Sequence, residues 1–181
     1  SSTNVQWRDG VLWSNVYGVM LSYLSSRAGA PLSDLSVSNT IIGSFGSGHY
    51  AYRLDSGTLM ADYNNIFARD SAHVGLRSTY PYALIHPNLP SWTQATTQDV
   101  HSLSHDPGFQ DAGAGDFHLR STAGRFDPAV RDFVTNNTDN SILIDAGDPL
   151  TVVTNEPLPN GGRINIGLYG GTLEASKTPT N

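Results

Sequence analysis

The segment LSVSNTII at Leu35–Ile42 has a pattern that returns as LMADYNNIF at Leu59–Phe67. Leu35 and Val37 alternate with Ser36 and Ser38, the period of two expected of a strand with one buried face. Both segments then run from Asn through a polar residue to two apolar ones, as Asn39-Thr40-Ile41-Ile42 and Asn64-Asn65-Ile66-Phe67. These Asn residues lie 25 positions apart, and in VQWRDGVL (Val5–Leu12) Asp9 stands 30 positions before Asn39, with the loop Ser25–Pro31 (SSRAGAP) as an insertion. Short strands repeating every 20 to 30 residues predict a solenoid, because one repeat cannot bury its own apolar face and must stack on the next. In a parallel β-solenoid Asn39 is expected over Asn64, their amides bonded along the axis in a structural rung. Short strands and Gly turns also fit a β-sandwich, which periodicity alone leaves as the alternative.

A second stretch, ILIDAGDPLTVVTNEPLPNGGRINIGLYGGT (Ile142–Thr172), is built differently. Its Gly and Pro residues would each cost roughly 1 to 3 kcal/mol inside a helix, so short strands chained by tight turns are expected. Asp145 and Asp148 flank Ala146-Gly147, and Arg163 follows. Turn carboxylates are hard oxygen ligands, which makes Asp145 and Asp148 candidates for Ca2+. Equally, Asp side chains bond their own turn amides and an Arg fork can tie carboxylates together. The stretch lacks the dense Asp-x-Asp-x-Asp spacing of a dedicated calcium loop, which favours a structural role for Asp145, Asp148 and Arg163.

Charged residues make up 14% of the 181, the only Lys is Lys177, and the net charge is −6. An average domain carries about 25% charged residues, so this surface must be rich in Ser, Thr, Asn and Gly. No basic stripe exists to displace phosphate counterions, which excludes nucleic acid as a partner. The acidic balance also disfavours an anionic membrane surface, and no apolar run approaches the roughly 18 residues a membrane span needs. The absence of Cys removes disulfides and thiolate metal sites. The polar composition points to an extracellular place. The start at Ser1, without Met, and the linker-like SKTPTN at the end lead us to expect a fragment or processed form of something longer.

One continuous domain is expected. Its β-helix coils would occupy residues 1–70, irregular loops with a short helix and the last coils 71–141, a cap 142–176, and the start of a linker 177–181. Ser91–Ser102 (SWTQATTQDVHS) opens on an N-cap residue type and reads as one short helix or turn. Asp127-Pro128 suits the start of a helical patch over DPAVRDFVTN.

Six motifs then follow in order: DYNNIF (Asp62–Phe67), W-x-x-A-T-x-Q-D-x-H-S-L (Trp92–Leu103), DPGF (Asp106–Phe109), DFHLRSTAGRFDP (Asp116–Pro128), IDAGDP (Ile144–Pro149) and NGGRINIGLYGGT (Asn160–Thr172). In this order they resemble the C-terminal part of right-handed parallel β-helix proteins of the pectate-lyase-like superfamily, of the large secreted or surface bacterial type, over Leu35–Ser176. The resemblance implies a right-handed β-helix whose last coils are closed by an irregular C-terminal cap, at the cell surface or outside the cell. The residues agree, since a solenoid end exposes strand edges that need covering. It also implies contact with polysaccharide or other surface proteins, and leaves self-association or a chain supplying preceding coils as further partners.

Lyase chemistry on uronates needs a base for the proton next to a carboxylate and a cation to neutralise that carboxylate. Relatives in this superfamily use Arg or Lys, often with Ca2+. Candidates here are Arg53, Arg69 and Arg77, with His49, Tyr50, Tyr52 and His73 nearby. GHYAYRLD (Gly48–Asp55) is the densest polar-aromatic cluster and is expected in a loop between coils, where Tyr50, Tyr52 and Arg53 would suit sugar stacking. Glycoside hydrolysis would need two carboxyl groups about 5 to 10 Å apart, for which Asp62 and Asp70 are the candidates. His101 and His105 would share a helix face, but Pro107 and the DPGF turn disfavour that helix and with it a zinc pair. No catalytic pair stands out. The expectation is therefore a structural or polysaccharide-binding module first, and a polysaccharide lyase or glycoside hydrolase, or a self-assembling subunit, as alternatives.

Overall fold

The computed structural model describes residues 4–21, 34–79 and 81–180, so the expected Ser25–Pro31 insertion lies outside the described residues. Nine strands come first: β1 Asn4–Arg8, β2 Val11–Trp13, β3 Tyr17–Leu21, β4 Asp34–Ser38, β5 Ile41–Phe45, β6 Tyr50–Leu54, β7 Thr58–Asp62, β8 Asn65–Arg69 and β9 His73–Thr79. The first six each pair in parallel with the strand three places on, giving sheets β1-β4-β7, β2-β5-β8 and β3-β6-β9. The class is all-β, and the strands form three rungs in β-helix-like stacking. This is not the antiparallel hairpin pairing typical of a sandwich. On the far edge of β9, β10 (Tyr82–His86) adds an antiparallel strand.

The apolar segments read from the sequence each split into two strands at a sharp corner. Asp9 (φ 51°), Asn39 (φ 51°) and Tyr63 (φ 55°) adopt the left-handed conformation between β1 and β2, β4 and β5, and β7 and β8. Asp and Asn visit that region more readily than other side-chain-bearing residues, which is why two of the three corners carry them. The rungs repeat at 30 residues, Asn4 opposite Asp34, and then at 24, Asp34 opposite Thr58. The second interval corrects the expected Asn ladder. Ser38 pairs with Asp62 and Ile41 with Asn65, so Asn39 is level with Tyr63, and Asn64 with Thr40. Both Asn residues are fully buried but do separate work. Asn64 accepts from the Thr40 amide and donates to the Val37 carbonyl.

Inside the stack Leu35 lies over Leu59, Val37 over Ala61 and Ile42 over Ile66, so identical strand parity gives continuous apolar ladders. Glycine interrupts two ladders to admit an aromatic ring. A Cβ at Gly75 would strike the ring of Trp92, which is fully buried and stacks on Tyr52 at 5.1 Å. On the outer face of the second sheet, Gly43 stands between Trp13 and Phe67, whose rings stack at 6.1 Å across the gap it leaves.

Trp92 belongs to α1 (Leu89–Thr96). Its N-cap is Asn88 rather than Ser91; Ser91 is the third helical residue and completes the capping box with Asn88, with Pro90 in the first turn. After the helix, Gln98–Leu103 lies along the free edge of β7 and β8. The Asp99 amide bonds Ala61, the Leu103 amide bonds Asn64, and the Ile66 amide bonds Leu103. Together with β10, this segment covers the end of the stack. At the other end the interior-parity residues of the first rung, Val5 and Trp7, are 53% and 46% exposed, while Leu59 and Ala61 at the same ladder positions are buried.

The remaining chain packs along one flank. It contains β11 (Phe109–Asp111), a 3-10 turn at Ala112–Ala114, β12 (Asp116–Leu119), β13 (Arg125–Asp127) and β14 (Asp132–Val134). The expected helix over DPAVRDFVTN is instead the hairpin β13–β14, because the Asp127 carboxylate accepts from Ala129 and its carbonyl accepts from Arg131, closing a turn. A second core joins Phe109, Leu119, Leu143, Ile144 and Ile166 to Ile41, with Val11 and Trp13 packed beside it. Residues 142–176 thus cover the outer face of β2-β5-β8 along its side.

Candidate functional site

The GHYAYRLD cluster forms mostly strand β6 rather than a loop. Parallel register sets one residue of each rung beside the next, which stacks Tyr17 on Tyr50 at 6.2 Å and Tyr50 beside His73 at 5.6 Å. All three rings are half-buried. The strip crosses three rungs on the third sheet. Arg53 lies next to it, with its guanidinium 5.0 Å from the Tyr17 ring centroid, one N–H donated to the Tyr17 hydroxyl at 2.8 Å, and Nε donated to Asp55 at 3.0 Å. Burial works to raise the Asp55 carboxyl, but the Ser78 hydroxyl and Arg53 outweigh it and hold it below its ordinary value. The arrangement lines up three half-buried rings in a row with a guanidinium paired to Asp55 at one side, a polar-aromatic surface of the kind that contacts sugars.

Tyr52, expected on that surface, is instead fully buried. Its ring is core, and its hydroxyl reaches Asp99, which also accepts from Asn64, from the Ser102 hydroxyl at 2.7 Å and from the Trp92 indole at 3.0 Å. Burial raises the Asp99 carboxyl, and those four donors offset part of the rise. Burial also holds the Tyr52 hydroxyl well above its ordinary value, with Asp99 adding to it. This network ties α1 to the stack.

Asp62 and Asp70 do not form a carboxylate pair across a groove. They lie beyond opposite ends of the five-residue β8, which separates them by roughly 16 Å at about 3.3 Å per residue. Asp62 is instead joined to His101. Its Oδ1 accepts from the His101 backbone amide, its Oδ2 lies 2.7 Å from His101 Nδ1, and the imidazole stacks on Tyr63 at 4.9 Å. His101 is exposed, so a ring fixed by carboxylate and stacking presents Nε2 to solvent. Such a pair can accept or deliver a proton. His105 is not part of it; its backbone amide bonds Asn65.

The other candidates are placed apart. His49 lies just before β6 and shares backbone bonds with His73 and Gly46. Arg69 covers the Phe67 ring, and Arg77 donates to the Ala95 carbonyl. Arg163 does not fork onto Asp145 or Asp148. It donates to the carbonyls of Ala146 and Gly147 and lies over the Tyr63 ring at 5.7 Å. Asp145 accepts from the Thr178 hydroxyl, and Asp148 accepts from the Leu150 amide within its own turn. Among the described residues no group of three or more His, Asp or Glu side chains is placed to hold a metal ion, and no helix is long and apolar enough to cross a membrane.

Two parts of the site escaped the sequence reading. Tyr17 was missed although Tyr17-Gly18, Tyr50-Ala51 and His73-Val74 share a ring followed by a smaller residue, a signal that aligning the third strand of each rung would have exposed. The pairing of Asp62 with His101 spans 39 residues and has no local signal. No protein-family model, curated protein or solved structure matches the chain.

Proposed function

We propose that this chain is part of a right-handed parallel β-helix of the pectate-lyase-like kind, and that it serves as an extracellular polysaccharide-binding module of a larger surface or secreted protein. The observation that carries this reading is the strip Tyr17–Tyr50–His73 with Arg53 beside it. An extended glycan can follow the exposed edges and hydroxyls of such a strip from rung to rung, with the N–H groups of Arg53 not used on Asp55 and Tyr17 as donors to sugar oxygens. The open first rung, with Val5 and Trp7 exposed, is suited to a further rung from the same polypeptide or from another chain.

Binding is tested by affinity electrophoresis and calorimetry on alginate, pectate and neutral glucans. Tyr50→Ala, which removes the central ring, is expected to weaken binding about tenfold, corresponding to roughly 1.4 kcal/mol. If the unaltered protein binds nothing on the panel, or Tyr50→Ala binds as well as it does, the strip is only packing.

A polysaccharide lyase or hydrolase is the second reading, favoured by the oriented and exposed His101. A lyase would release unsaturated ends from uronates, followed by ultraviolet absorbance, and His101→Ala is expected to slow that release about 100-fold or more, the usual contribution of a general base. Flat traces from the unaltered protein on all uronates dismiss the lyase.

A further inference from the structure

Where the flank segment meets the stack, two carboxylate oxygens are buried without a partner. Glu156 is 5% exposed. Its Oε1 accepts from the Asn165 amide at 2.9 Å and the Gly171 amide at 2.8 Å, which fixes the side chain, while Oε2 has no partner. Asp9, at the left-handed corner of the first rung, likewise has an unpartnered, solvent-free Oδ1. A buried acceptor left bare costs free energy, and a bare carboxylate costs most when ionised. A proton on the carboxyl removes that charge. Among the described residues no cation site converges here.

We propose that Glu156 is a proton-operated clasp, which holds residues 142–176 on the flank of the stack when protonated and loosens them when it ionises. The charged groups around it all bear on this. Burial is the main influence raising the Glu156 carboxyl, and Asp145 from its own segment and Asp9 from the first rung add like-charge repulsion. The two amide donors pull the other way. Asp9 is itself raised by burial, with Asn39 and Arg8 opposing, and Asp145 is raised by burial, with Thr178 and Arg163 opposing. Because the folded form holds the proton more tightly than the unfolded chain does, the stabilisation is complete below the ordinary Glu value of 4.5 and is lost as pH rises through the folded value. Release would uncover Val11, Trp13 and Ile41, the apolar outer face of the second sheet.

The test is hydrogen exchange, corrected for intrinsic rates, from pH 5 to pH 8 on the unaltered protein and on Glu156→Gln. Glutamine keeps an oxygen for the two amides but cannot ionise. In the unaltered protein the protection of amides in 143–171 is expected to be lost with rising pH to a greater extent than that of Ile41–Phe45. In Glu156→Gln that excess loss should disappear, and the melting temperature should exceed that of the unaltered protein more at pH 8 than at pH 5. A variant whose protection and melting temperature shift by the same amount at every pH would show a purely structural role and overturn the proposal. So would protection at pH 8 that calcium restores and a chelator removes, since a cation would then be the clasp. If the variant does not fold, the unaltered protein decides alone: equal pH response of flank and stack overturns the clasp.

Discussion

Trp92→Ala is expected to lower the free energy of unfolding by about 3 to 5 kcal/mol, the range for emptying a core position filled by a large aromatic. The ring is fully buried, occupies the space left by Gly75, stacks on Tyr52 and donates to Asp99. Its loss opens a cavity at the covered end of the stack and leaves the buried Asp99 short of a donor. Trp92→Phe separates the two effects, since it keeps most of the ring and removes only the indole N–H. Its cost should be about 1 to 3 kcal/mol, that of an incompletely bonded buried carboxylate. Urea unfolding of both variants measures this. A Trp92→Ala loss below about 1 kcal/mol would mean that α1 contributes little to the core.

Asn39→Ala should cost about 2 to 4 kcal/mol from two independent sources. Alanine resists the left-handed conformation at φ 51°, and the Asp148 amide loses the Oδ1 acceptor it holds at 2.7 Å. The Asn39 side chain also reaches the Thr151 hydroxyl, and its carbonyl accepts from the Gly167 amide. The residue is therefore a corner of the stack and a fixing point for the flank segment. Asn39→Gly tolerates the conformation but lacks the Oδ1, so it isolates the lost acceptor and should cost about 1 to 3 kcal/mol. Proteolysis within 148–155 should accelerate in Asn39→Ala before the rungs are cut. Cleavage and unfolding that proceed together in that variant would contradict the double role.

Several features were legible in the sequence because they are local. Alternation in Leu35–Ser38, the left-handed residues Asp9 and Asn39, and the Gly and Pro density of Ile142–Thr172 act through the few dihedrals around them. They predict short strands in the first half and turns in the second, and these appear, but residues 142–172 form turns without the short strands expected between them. The repeat interval was nearly legible. The interval of 24 was read as 25 because the similar motifs at Asn39 and Asn64 do not occupy the same rung position. The third strand of each rung was obscured because Tyr17-Gly18-Val19, Tyr50-Ala51-Tyr52 and His73-Val74-Gly75 share parity but hardly any residue.

The sequence by itself determined that this chain is all-β, that its strands repeat, and that its second half is made of turns, since Gly, Pro, Asn and alternating apolar residues constrain the backbone wherever they occur. Only the tertiary structure decided which surface each side chain meets. Tyr50 reaches the surface while Tyr52, two residues on, is sealed in the core, because Trp92 enters over Gly75 from a helix distant in sequence. Asp62 finds His101, and Glu156 comes near Asp9, only once rungs and flank are packed, and burial there raises the Glu156 carboxyl. Local dihedral preference is written residue by residue, whereas burial and charge environment depend on neighbours that the chain brings together only by folding.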